Sequence, residues 1–137
     1  FTLFILLVEK IVGKIYDFDT FKKSINCKFI CKISSKEKEF TRFLFTKYIY
    51  GNNKNDYAVI PLDNPFSLNK SQISQVLIDT DKNLNLLDLS SLSSLDKYEK
   101  IYFVGQANKC YFKNIELVNK LISIYDEKMV GWFYFQG

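Results

Sequence analysis

Lys100-Ile-Tyr-Phe-Val-Gly-Gln-Ala-Asn-Lys-Cys-Tyr-Phe-Lys-Asn-Ile-Glu-Leu-Val-Asn-Lys-Leu-Ile-Ser-Ile-Tyr-Asp-Glu-Lys-Met-Val-Gly-Trp-Phe-Tyr-Phe135 carries two hydrophobic periods in one stretch. Lys100–Val104 is a short apolar run. Asn114–Glu127 places Ile115, Val118, Leu121, Ile122 and Tyr125 at helical spacing, and Met129–Phe135 is apolar again. Strand, helix and strand over this length suffice for a right-handed parallel crossover. This unit sets the expected class as α/β.

Upstream of it, Leu84, Leu86, Leu87, Leu89, Leu92 and Leu95 mark a partly helical segment, weakened by its serines. Ser67 or Asn69 is placed to cap a helix carrying Ile73, Val76 and Leu77. Pro61 and Pro65 change the character of the chain, so a soft subdivision near 62–68 is conceivable within one domain. Before them the period is two. Cys27, Phe29, Cys31 and Ile33 alternate with Lys28, Ile30 and Lys32 as a half-buried strand. Phe40–Tyr50 reads as a long aromatic strand and Tyr57–Leu62 as a third, with residues 51–56 a strong turn signal between them. Short connections predict an antiparallel β-meander over 27–62. Residues 2–16 read as an amphipathic helix, with a strand over 1–8 as the competing pattern, and Asp19 as the cap of a short helix over 20–25. The expected fold is one α/β domain with a mixed sheet: N-terminal helix, meander, then helix and strand units. An α+β arrangement is the alternative.

The composition is skewed. Eighteen lysines face a single arginine, Arg42, and only two alanines occur. Phe, Tyr, Met, Ile, Asn and Lys, all with A/T-rich codons, make up nearly half of the 137 residues. An A/T-biased genome (organelle, endosymbiont, parasite, virus or phage) accounts for this. It discounts lysines and aromatics as functional signals. The net charge of +4 is concentrated in residues 1–60, a distribution that suits an anionic partner. Both ends stop inside apolar runs, which suggests a domain or subunit of a larger polypeptide. Phe1–Val8 is too short to span a bilayer alone, although it could end a longer hydrophobic helix. An odd set of cysteines, Cys27, Cys31 and Cys110, without secretory context points to reduced thiols and an intracellular setting.

Histidine is absent. That excludes Ser-His-Asp and Cys-His nucleophile systems and imidazole acid–base work. Three cysteines alone do not complete a closed zinc site. No catalytic constellation, cofactor or metal is expected. Asp79-Thr-Asp81-Lys-Asn83-Leu-Asn85 begins like a calcium loop, but Leu84 replaces the turn glycine and Ser90 the bidentate glutamate. Asp17-Phe-Asp19 is too short a pattern to imply a metal–phosphate group, and helix capping explains Asp19.

Two places remain as candidates. One is the loop after the 100–104 strand, where Gly105, Asn108, Lys109 and Lys113 could meet a phosphate at the start of the following helix. It lacks the glycine pattern of a dinucleotide or P-loop site. The other is a sheet face with Lys28 and Lys32 on one strand and Arg42, Tyr48 and Tyr50 on its neighbour, able to hold nucleic acid by stacking and phosphate contact. The expectation is a non-catalytic interaction or structural module with a protein partner or parent chain, contacting nucleic acid or an acidic partner. A nucleotide- or sugar-phosphate-binding fragment using the 105–109 loop is the alternative.

Overall fold

Four parallel strands form the single sheet of the computed structural model, which describes residues 18–47, 57–64, 67–80, 84–90, 92–107, 109–125 and 127–136. The strands are β1 (Phe29–Ser34), β2 (Tyr57–Pro61), β3 (Lys100–Gly105) and β4 (Met129–Gln136). Their spatial order is β1-β4-β3-β2, and every neighbouring pair is parallel. The helices are α1 (Phe18–Ser24), α2 (Lys38–Phe45), α3 (Gln72–Thr80) and α4 (Phe112–Ile124), with 3₁₀ turns at Leu68–Lys70 and Leu92–Lys97.

The arrangement is of α/β type, and it corrects the expected mixed sheet: 27–62 is not an antiparallel meander. The decisive element is α2. Phe40–Tyr50 reads as a strand from its aromatic content, yet Thr41, Leu44 and Phe45 are buried at i, i+3 and i+4, a helical period. The two rings that suggested a strand, Phe40 and Phe43, lie outside that stripe, 49% and 58% exposed. A helix between β1 and β2 lets the chain cross from one sheet edge to the other, so the two strands are parallel and not adjacent. β2 carries the second sign. All five of its residues are buried, as expected of a parallel strand covered on both faces.

Each face has its own core. On one, α1 and α4 bring Phe21, Ile25, Ile115, Val118 and Leu121 against Ile60, Ile101, Phe103 and Trp132. On the other, α2 and α3 bring Leu44, Phe45, Ile73 and Leu77 against Val59, Tyr102, Val104 and Phe133. The leucine-rich segment links the two cores. Leu84 and Leu86 pack with the second and Leu87 and Leu89 with the first, while Asn85 and Leu87 bond the backbone of Val59. The segment therefore wraps the outer edge of β2 on its way from α3 to the 3₁₀ turn. Only that turn is helical; residues 84–90 are not.

The β3–α4–β4 unit has the predicted connectivity, with the helix set at Phe112–Ile124. Ser71, rather than Ser67 or Asn69, caps α3: its Oγ accepts the Ser74 N–H at 3.0 Å. Asp19 lies in the first turn of α1. Register shifts between Phe29 and Cys31, and this irregularity separates residues expected on one face: Cys27 packs toward the α1/α4 core and Cys31 toward the α2/α3 core. The predicted helix 2–16, the turn 51–56 and Tyr48 and Tyr50 lie outside the described residues. No helix among those described is long and apolar enough to cross a membrane.

Candidate functional site

Parallel α/β sheets collect ligands beyond the carboxyl ends of their strands, where neighbouring strands send their chains to opposite faces. Here those strands are β2 and β3. β2 leads to α3 over one core and β3 to α4 over the other. Among the described residues the mouth of this crevice is formed by 62–64, 67–71, 105–107 and 109–110.

The chain's own groups occupy that mouth. Asp63 accepts the Ser71 hydroxyl at 2.5 Å through Oδ1 and the Ile73 N–H at 3.2 Å through Oδ2. A carboxylate thus sits on the amino end of α3, where the helix dipole and a free N–H would favour an anion. Across the crevice, the Ala107 N–H donates to the Tyr134 hydroxyl at 3.1 Å, and the Lys109 N–H to the Gln106 carbonyl at 3.2 Å. Gly105 has a packing reason for being glycine. A Cβ there would lie 2.2 Å from Cζ of Phe21 and 2.7 Å from its Cε1, so the glycine admits a ring rather than a phosphate.

Lys109 and Lys113 are exposed at the start of α4. The first turn of that helix folds its Asn114 and Ile115 N–H groups onto the Tyr111 carbonyl. Asn108 lies outside the described residues. Cys110 is fully buried between the loops. Burial pushes its thiol up to about 12, with the Gln106 backbone opposing and the Asp63 charge adding to the rise. It is not a nucleophile at neutral pH.

The sheet-face site does not assemble as expected, because the neighbouring strand it required is α2. Arg42 lies in the last turn of α2, and its Nε donates to the Thr80 carbonyl at the end of α3. It ties two helix ends together on the opposite side of the sheet from α1. Lys28 and Lys32 are exposed at β1, a sheet edge. Lys32 extends its Nζ over the Phe18 ring at 4.3 Å, and Lys22 of α1 places its Nζ 5.3 Å from the Phe29 ring centroid. Phe18 and Phe29 meet edge to face at 5.5 Å. Sequence reading missed Lys22, Phe18 and Phe29 as a group. The helix laid over the strand makes it, and no spacing in the chain announces that.

Asn85, from the calcium-like stretch, donates to the Tyr57 carbonyl at 3.2 Å. Among the described residues no cluster of acidic, Cys or His side chains is arranged to hold a metal. Cys27, Cys31 and Cys110 are free thiols. Comparison with protein-family models, with curated proteins and with solved structures yields no match.

Proposed function

We propose that the chain is a non-catalytic interaction module of a larger polypeptide or assembly. One observation carries this reading: the crevice at the carboxyl ends of β2 and β3 is closed by the chain's own chemistry. Asp63 takes the place of an anion on α3, Tyr134 takes the Ala107 N–H, and Phe21 takes the space above Gly105. A phosphate entering there would face a fixed carboxylate, and like charges at close range are costly. This weighs against the 105–109 loop as a nucleotide or sugar-phosphate site, although its position is the one such ligands favour.

The test is a calorimetric titration of the chain with Mg·ATP and with a sugar nucleotide. The expected result is no saturable binding. Saturable binding that is lost on joint substitution Lys109→Ala and Lys113→Ala would overturn the proposal.

A further inference from the structure

We infer that the outer edge of β1 is a docking edge for an acidic, extended protein segment, which joins the sheet as a fifth strand. The inference rests on the interaction-module reading and gives that module a partner class. Among the described residues β1 is hydrogen-bonded to a strand on one side only, to β4. An edge strand turns alternate N–H and C=O groups outward, which is the hydrogen-bonding template for strand addition. The opposite edge is used differently, since residues 84–87 wrap β2. The two edges of one sheet are thus treated unequally.

The side chains along the β1 edge select the occupant. Lys28 and Lys32 are exposed on it, and Lys22 reaches it from α1. Among the described residues Lys22 and Lys32 have aromatic rings as partners, not carboxylates. A lysine over a ring keeps its charge and most of its hydrogen-bonding capacity, and the ring contact holds the head group in place. On the other face of β1, Ile30 and Cys31 are only partly buried. A strand with carboxylates on one face and apolar side chains on the other matches both. A second copy of this chain matches poorly, because edge-to-edge pairing would set lysines against lysines.

The probe is a peptide of about eight residues alternating Glu and Val, long enough to line a six-residue strand. It is titrated into the ¹⁵N-labelled 137-residue chain and followed by amide chemical shifts. Saturable binding with shifts centred on Phe29–Ser34 is expected. Lys22→Glu with Lys32→Glu weakens it by about tenfold, since two exposed attractions become repulsions. The same peptide N-methylated at every second residue keeps its charge but cannot form the ladder, and is expected not to bind. Equal binding of the methylated peptide, shifts centred elsewhere, or no binding at low salt overturns the docking edge. So does an oligothymidylate that binds these amides when the peptide does not. None of these outcomes touches the closed crevice, so the interaction-module reading stands or falls separately on the nucleotide titration.

Discussion

Gly105 and Phe21 show how one residue choice shapes the crevice. Ala at 105 would drive its methyl into the Phe21 ring. Gly105→Ala is expected to cost about 1–3 kcal/mol in urea unfolding, the range for overpacked cores. Pairing it with Phe21→Leu should recover part of that loss, because the clash is with the ring. Trp132 makes the reverse case. It is fully buried, yet among the described residues its Nε1 has no hydrogen-bond partner. Trp132→Phe removes that unsatisfied donor along with ring volume, so the two effects oppose. It should cost less than Phe133→Ala, for which about 3–5 kcal/mol is expected. Buried thiols set the alkaline limit. Burial pushes Cys27 and Cys110 from an ordinary value of 9.0 up to about 12, and Tyr57 from 10.0 to about 12. Above pH 9 the unfolded chain loses these protons first, so stability is complete below that pH and falls between 9 and 12. Denaturant midpoints measured across this range should decline, at up to about 1.4 kcal/mol per pH unit for each group. A flat profile would mean that these groups are solvated in the fold.

Among the elements, α2 and α3 illustrate what a sequence conceals. The β3–α4–β4 unit was legible because its periods are long and clean. α2 was not: a Thr fills one buried position, and two exposed phenylalanines blur the stripe. Aromatics are abundant along the whole chain, 17% of its residues, so aromatic content had little value as a strand signal. Asp63 was illegible for another reason. It bonds Ser71 and Ile73, eight and ten residues further along the chain, a pairing with no fixed spacing. Asp63→Ala is expected to lower stability by about 1–2 kcal/mol through loss of the helix-end contacts. Asp63→Asn, which keeps an acceptor, should lose less. Arg42 belongs at this scale too. Sequence reading placed it on a sheet face as a phosphate contact, and its observed bond is to the end of a helix. Arg42→Ala should lower the thermal midpoint, with a cost of about 1 kcal/mol at this exposed position.

At the scale of the whole molecule, the basic first half of the chain gains a location. Among the described residues its lysines lie on and around α1, β1 and α2, and the β1 edge gathers Lys22, Lys28 and Lys32 beside Phe18 and Phe29. Net charge alone has a sign but no location. The parallel sheet leaves β1 outermost among the described strands, and the proposed docking edge lies there. Thiol chemistry offers an independent check on this architecture. Cys31 is the least enclosed of the three cysteines and lies on that edge, so a thiol reagent at pH 8 should modify it first. Cys27, half-buried and with its thiol pushed up to about 12, should react more slowly, and the buried Cys110 only on unfolding. Early labelling of Cys110 would contradict the packing between the β2 and β3 loops.

The strand order carries one more consequence, in time rather than space. β4 lies between β1 and β3, yet it is the last of the four described strands to be synthesised. Until it arrives, β1 has no partner among the described strands and β3 is open on that side. The sheet therefore closes from the middle only once β4 has been made, and β1 waits about a hundred residues for its neighbour. During that interval the nascent chain exposes β1 unpaired and β3 open on one side, the condition under which chaperones and premature partners compete for a protein.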